Sequence, residues 1–498
     1  YLIGNKMESI IPSLICDFYK TSHYNQYPKD TEFLYSTLVP RSNKYLPAVD
    51  RVVSINITGF LKKYFVDYFN KFFFERPEDE VVKEYSDFIK RTLGINDTGD
   101  HIRKLHKLAY LPIRVKAIPE GMSTPISVPI LTIENTHKEF AWLTNYLETL
   151  LSCSLWSPIT SASIARQYRI VGEKYAAKTC DNNGHVSFQF HDFSMRGMSS
   201  LESAQISGLG HLIYFDGTDN IPAITYADKY YSGKIAKDWN PTSIPATEHS
   251  VMCANVAKQQ AEGKGRDETE TYRKLITETY PSGFVSIVSD TYDFWHNVSV
   301  VIPSLKEEIM ARDGRVVIRP DSGNPVDIIC GTVKNGGTTP EEKGLIEVLW
   351  ETFGGTVNEK GYKVPDSHIG AIYGDSITLE RAEQIFAGLE AKSFASSNIV
   401  MGVGSYSYQG NTRDSLGFAV KATSVTQNGI EYPIQKDPKT DPGKKSFCGR
   451  VKVVNDKCID NMFSKGDYSD DELEVVFENG IVSHVDIGTV RKRALSEI

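Results

Sequence analysis

Long apolar runs are missing from this 498-residue chain; none approaches the ~20 residues a membrane-spanning helix needs. No secretory signal peptide is visible. Positive charge is also short: 55 lysines and arginines stand against 63 aspartates and glutamates, a net charge of −8. That balance excludes a general affinity for nucleic acid or anionic membrane, so any anion site has to be built locally. Cysteine is sparse and scattered. The seven, at 16, 153, 180, 253, 330, 448 and 458, form no C-x-x-C and no metal-ligand spacing. A disulfide framework and a resident metal site are therefore not expected, and reduced thiols point to the cytoplasm. There is no internal repeat and no low-complexity segment. Tyr1 to Lys6, ahead of Met7, reads as an expression remnant.

What is present is one pattern used many times. Arg315-Val316-Val317-Ile318-Arg319-Pro320-Asp321-Ser322-Gly323-Asn324-Pro325 is a β-branched run ended by a cation, an anion and turn residues. Arg319 and Asp321 then sit at the C-terminal lip of a buried strand, where parallel α/β folds bind ligands. Alone, the segment reads equally well as an ion pair closing a loop. Recurrence decides between them. Val186 to Phe190 leads into His191-Asp192-Phe193-Ser194-Met195-Arg196-Gly197, Leu212 to Phe215 into Asp216-Gly217-Thr218-Asp219, and Val285 to Val288 into Ser289-Asp290. Ile369 to Tyr373 leads into Gly374-Asp375, and Ile399 to Met401 into Gly402-Val403-Gly404-Ser405. Helical stretches lie between them, at 199–210, 248–263, 267–280, 340–353 and 378–392. Strand and helix in alternation mean βαβ units and a mostly parallel sheet, and about six units favour a (β/α) barrel over an open sheet.

The length supplies two to four domains' worth of chain. Residues 52–93 read as helices with Leu61, Phe65, Phe69 and Phe72 on one core-facing stripe. Short β-type runs follow at 113–117 and 126–133, then helices at 139–152 and 161–177. Residues 423–454 and 473–484 again read as short strands, separated in part by a basic loop around Lys436 and Lys444. The expected division is 8–180 for N-terminal helices and the first part of a β-rich domain, 181–420 for the barrel, and 421–498 for the second part with a C-terminal helix.

Three chemical inferences follow from the barrel motifs. Glycines after two consecutive strands, at Gly374 and Gly404, expose backbone N–H groups that can cradle a phosphate, and Arg413 follows close behind. Asp219, Asp290, Asp321 and His249 are candidates for polar chemistry in one pocket. An imidazole at the start of a helix beside carboxylates can exchange protons or accept a phosphoryl group, although a packed or capping histidine reads the same. Phe193 and Arg196, three apart after a strand, can clamp a flat ring.

Taken in order, these motifs together with Asp17-Phe18-Tyr19-Lys20-Thr21-Ser22-His23-Tyr24, Pro245-Ala246-Thr247-Glu248-His249-Ser250 and Thr412-Arg413-Asp414 resemble the type II phosphoribosyltransferases, specifically those acting on nicotinamide. The resemblance runs from about Ser13 to the C-terminal helix. It implies an irregular (β/α) barrel with a β-rich second domain. It also implies a homodimer with active sites at the subunit interface, joining nicotinamide to 5-phosphoribosyl 1-pyrophosphate to give nicotinamide mononucleotide and pyrophosphate in NAD salvage. Mg²⁺ would accompany the pyrophosphate substrate. Phe193 and Tyr19 of the partner subunit would stack the pyridine ring, Arg196 and Asp219 would handle the carboxamide, and Asp321 would lie near the reacting end. The 5-phosphate would lie on Gly374 with Asp375, Gly404, Ser405 and Arg413. Pyrophosphate would meet Arg319 and, across the dimer, Arg41, Lys421, Lys436 and Lys444. ATP would phosphorylate His249, with Glu248 and Asp290 orienting or charge-balancing the ring.

Asp219 carries the choice of pyridine. A carboxylate accepts from an amide N–H and repels a carboxylate ligand. Ser405 departs from the family's run of glycines and places a side chain in the phosphate loop. The alternatives are a nicotinate phosphoribosyltransferase or a barrel glycosidase, the latter disfavoured because a neutral sugar needs no phosphate cradle; a non-catalytic binding role is disfavoured by retention of every catalytic-type residue.

Overall fold

The computed structural model describes residues 10–237 and 239–498. The Tyr1 to Lys6 remnant and the first residues of the expected 8–180 domain lie outside them. The chain forms two compact units. One comprises Ile164–Ile224 and Trp239–Gly410; the other draws on the chain up to Ser163, a short piece from Thr225, and Asn411–Glu497.

In the first of these, five parallel strands form one sheet in the order Phe190–Asp192, Val400–Val403, Ile369–Tyr373, Asp313–Arg319, Ser282–Val288. Single parallel bridges then run from one edge to the other: Asp192 to Thr218, Gly217 to Thr242, and Ala246 to Ser286. The ring is thus closed by isolated bridges rather than full strands, which makes the barrel irregular. Val285, Ile287, Val316, Ile318 and Met401 are buried within it. Parallel strands covered on both faces need such near-continuous apolar runs. All five strands point their C-terminal ends, and so their polar turns, to one side.

Two expected strands are corrected here. Leu212 to Phe215 is the end of the Leu201–Leu212 helix and a turn in which Tyr214 and Phe215 N–H both donate to His211 O. Leu212, Ile213, Tyr214 and Phe215 are all buried, and a short run buried on every side carries no period to tell helix end from strand. Val186–Gln189 is likewise a helical turn, and only Phe190–Asp192 is extended.

In the other unit a seven-stranded antiparallel sheet runs in the order Ile430–Pro433, Phe418–Gln427, Thr31–Pro40, Leu131–Asn135, Ile113–Ala117, Glu474–Glu478, Ile481–Val482. It joins segments from both ends of the chain. Its ten-residue strand Thr31–Pro40 was not evident from the sequence, because every residue from Leu34 to Pro40 is buried and no alternation shows. The two helices expected at 139–152 and 161–177 are mainly one, Glu148–Thr179, running through Pro158. The carbonyl that proline leaves free, Ser154 O, accepts instead from Asn56 Nδ2 at 3.3 Å.

The aromatic stripe also shifts. Residues 61–74 are wound mostly as π-turns, so buried positions fall every fourth residue, at Leu61, Phe65, Phe69 and Phe73. Phe73 replaces the expected Phe72, whose ring lies 4.6 Å from that of Tyr68 nearer the surface. Phe73→Ala is expected to destabilise the protein by about 3–5 kcal/mol and Phe72→Ala by well under half of that, measured by urea unfolding; equal losses would show that the stripe is wound otherwise.

Candidate active site

The lip of the parallel sheet gathers most of the charged residues expected there. The Asp313–Arg319 strand delivers Arg319, whose Nη2 donates to Thr247 O at 2.6 Å and whose Nε lies 3.6 Å from Asp321 Oδ1. The Ser282–Val288 strand delivers Asp290. Its side chain is only 4% exposed, and Oδ2 accepts from Asp321 N–H at 3.0 Å and Ser322 Oγ at 2.5 Å. Its Oδ1 is buried with no hydrogen-bond partner. His249, first residue of the His249–Ala261 helix, brings Nε2 within 3.9 Å of that atom and 3.8 Å of Asp321 Oδ2. Its Nδ1 is hydrogen-bonded to Thr291 Oγ1 at 3.1 Å. Glu248 caps nothing with its side chain and instead accepts from Ser250 Oγ. The ring's polar partners are Asp290, Asp321 and Thr291.

Gly374 is needed for space. A Cβ there would stand 2.1 Å from Asp321 Oδ1, so the bare backbone lets that carboxylate swing over the next strand's end. Asp375 Oδ2 accepts from Ser376 Oγ at 2.8 Å. Burial pushes the Asp321 carboxyl above the ordinary aspartate value; Arg319 and His249 pull it down, while Asp290 and Asp375 push it further up.

Beside this group a cavity of about 660 Å³ is lined by His191, Phe193, Asp219, Ser243 and Arg319, and continues among apolar residues between the strands. Asp219 Oδ1 accepts from His191 Nε2–H at 2.8 Å and from Ser243 Oγ at 2.5 Å. Burial alone would raise its pKa, but those two hydrogen bonds, with the charges of His191 and Arg319, hold it below the ordinary value. The Phe193 ring lies 4.7 Å from that of His191. Arg196 is exposed on the short turn Met195–Gly197. Gly404 precedes the five-residue helix that starts at Ser405. Sequence reasoning assigned no role to His191 or Ser243. The first belongs to the His191-Asp192-Phe193 strand end; the second follows Asp219 by 24 residues in irregular chain and gives no signal.

The remaining expected residues belong to the β-rich unit. Arg41, Lys421 and Lys444 line one pocket of about 370 Å³, together with Lys445. Burial, with the charges of Arg41, Lys436 and Lys20, depresses the Lys421 pKa, against an upward pull from Glu148. Tyr19 is 58% exposed. Arg413 is exposed beside Asp414, 3.1 Å away. Among the described residues no group of three or more His, Cys, Asp or Glu is placed to hold a metal, and no helix is long and apolar enough to cross a membrane.

Comparison with known proteins decides the family. The model of the nicotinate phosphoribosyltransferase (NAPRTase) family matches residues 188–481. The chain belongs to this family. It is 46% identical over 488 residues to the nicotinamide phosphoribosyltransferase of Acinetobacter baylyi, covering 95% of this chain and 94% of that protein. The Mycoplasma pneumoniae protein of the same name is 37% identical over 463 residues, 89% of this chain and 95% of its own. Among solved structures, nicotinate-nucleotide pyrophosphorylase from Pyrococcus furiosus superposes with a TM-score of 0.54 at 16% identity, covering 100% of this chain and 97% of that one. Human nicotinic acid phosphoribosyltransferase gives 0.53 at 15%, covering 96% and 93%. Those two likenesses establish the family fold, an α/β barrel with an added antiparallel sheet, on which this site is built.

The surroundings displace the two carboxylates' pKa values in opposite directions, Asp219 down and Asp321 up. Folded Asp219 binds its proton more weakly than the unfolded chain, so its contribution to stability is complete above the unfolded value of about 3.9 and is lost as pH falls through the lower folded value. Carboxyl NMR is expected to place Asp219 below and Asp321 above that value, and His191→Ala to move Asp219 upward; an unmoved Asp219 would contradict the assigned cause.

Proposed function

We propose that the protein transfers the 5-phosphoribosyl group of phosphoribosyl pyrophosphate to nicotinamide, releasing pyrophosphate and forming nicotinamide mononucleotide for NAD salvage. The observation that carries this is Asp219, kept anionic by His191 and Ser243 in the cavity that Phe193 also lines. With Oδ1 engaged, Oδ2 remains to accept from a carboxamide N–H, whereas a nicotinate carboxylate at the same place would meet like charge. Phe193 stacks the ring and Arg196 meets the carboxamide oxygen. The ring nitrogen then attacks the anomeric carbon as the bond to pyrophosphate breaks, and positive charge grows on the sugar. Asp321 and Asp290 stabilise that charge electrostatically.

Arg319 neutralises the leaving pyrophosphate, and Gly404 and Ser405 present backbone N–H groups to the 5-phosphate; the Gly374 N–H already donates to Pro320 O at 3.2 Å, so that glycine contributes room beside Asp321 and not the donor expected of it, and Arg413 is assigned to the phosphate on the sequence resemblance. In a homodimer Tyr19 of the partner subunit closes the ring stack, and the partner's Arg41, Lys421, Lys436 and Lys444 meet pyrophosphate. The shared pocket of Arg41, Lys421 and Lys444 supports their acting as one anion site. Mg²⁺ fits this donor set. The orphaned Asp290 Oδ1 and the nearby Asp321 offer one or two carboxylate oxygens, which is what the ion takes when substrate phosphates complete its shell. It would supply charge neutralisation for the pyrophosphate.

ATP enters through His249. Its Nε2 faces Asp290 and Asp321 while Thr291 engages Nδ1, so the ring is oriented with a free nitrogen toward carboxylates that balance a developing imidazolium. This supports phosphoryl transfer to His249 and the coupling of ATP hydrolysis to product formation. The test is mononucleotide formation from nicotinamide and phosphoribosyl pyrophosphate with Mg²⁺, with and without ATP. Unmodified protein is expected to turn over and to be stimulated by ATP; His249→Ala is expected to keep the basal rate and lose the stimulation. Stimulation intact in the variant would remove His249 from the role, and no turnover in unmodified protein would overturn the reading.

A further inference from the structure

Gly197, next to Arg196, is a glycine for reasons of space. Its φ lies outside the left-handed region, yet a Cβ added there would meet Ser405 Oγ at 2.0 Å and Ser405 Cβ at 2.5 Å, with Ser405 Cα at 4.0 Å. The serine side chain is seated on the bare face of the glycine. Two further fastenings run beside it. Gln409 Oε1, at the far end of the Ser405–Gln409 helix, accepts from Ser199 N–H at 2.9 Å. Phe193 N–H donates to Val403 O at 3.0 Å, and a Cβ on Gly402 would stand 2.4 Å from the Phe193 ring. The 402–409 segment, which carries Gly404 and Ser405, is therefore locked at three points to the 193–199 turn, which carries Phe193 and Arg196.

We propose that the contact between Ser405 and Gly197 couples the phosphate subsite to the pyridine subsite. Ser405 and Gly197 act as positioning residues, and seating the 5-phosphate on the 404–405 backbone sets where Arg196 stands. The inference rests on the transferase reading above. It assigns a purpose to Ser405, the position at which this chain departs from the family's glycines. Coupling of this kind is reciprocal: if phosphoribosyl pyrophosphate tightens nicotinamide, nicotinamide tightens phosphoribosyl pyrophosphate by the same factor.

The atoms that collide define the test. Gly197→Ala forces the turn and the loop apart, and a displacement of about 1 Å in a reacting geometry costs on the order of 100-fold in rate. KM for nicotinamide and for phosphoribosyl pyrophosphate are expected to rise together, with kcat/KM down about 10- to 100-fold. Adding Ser405→Gly should restore the double variant to the level of Ser405→Gly alone, because only a Cα at ordinary contact distance then faces the new methyl. Adding Ser405→Ala should not, because its Cβ remains in the way. Rescue by both, rescue by neither, or movement of one substrate's KM alone would overturn the proposal.

Should Gly197→Ala fail to fold, Ser405→Gly by itself serves. In unmodified protein the KM for nicotinamide is expected to fall as phosphoribosyl pyrophosphate is raised, and in Ser405→Gly to become independent of it. The same dependence in both proteins would overturn the coupling. Absent turnover in unmodified protein would instead overturn the transferase reading, and the coupling with it.

Discussion

The buried carboxylate of Asp290 is the constraint on which the lip of the barrel depends. A carboxyl group at 4% exposure needs hydrogen-bond partners, and those of Oδ2 come from the neighbouring strand's turn, through Asp321 N–H and Ser322 Oγ. That fixes the chain just beyond Arg319. Arg319 in turn binds Thr247 O, which fixes the chain just before His249. Gly374 leaves room for Asp321 to lie across the next strand's end. Four segments that are distant in sequence thus share one set of polar contacts, and each contact also aims a side chain used by the proposed chemistry. Removing Asp290 would loosen the positions of Asp321 and His249 together.

Two carboxylates that both feel the charge of Arg319 are shifted in opposite directions. Asp219 has donors on one oxygen and is kept ionised. Asp321 has carboxylate neighbours and burial working against its charge, only partly offset by Arg319 and His249. The first state suits reading a neutral amide. The second suits a group whose charge is stabilised most when positive charge appears on the reacting sugar, so that its interaction strengthens toward the transition state.

Much of this was legible in the chain. Arg319, Asp321 and Asp290 could be placed because apolar runs ending in turn residues mark strand ends, and five such runs converge on one lip. An irregular barrel was expected from the family resemblance, but where it departs from regularity was not legible: Leu212 to Phe215 is as apolar as a strand, and only the turn closed on His211 O shows otherwise. Phe73 escaped because helical spacing assumes α-turns, and the π-turns that shift it leave no compositional trace. The His191–Asp219–Ser243 group and the Ser405 seat on Gly197 escaped for a different reason. Each depends on contacts between distant segments, and no pattern within one segment tells which side chain of the other it will meet.

The account's central claim is that Asp219, held as an anion, selects the amide over the acid. The most direct test is competition between nicotinamide and nicotinate for the unmodified protein, read as the ratio of their kcat/KM values with phosphoribosyl pyrophosphate and Mg²⁺. The prediction is a clear preference for nicotinamide, because the half-exposed Asp219 carboxylate accepts from the amide and repels the acid, and a collapse of that ratio in Asp219→Ser. Comparable rates on both pyridines, or a preference for nicotinate, would contradict the claim while leaving the barrel and its phosphate loop as described.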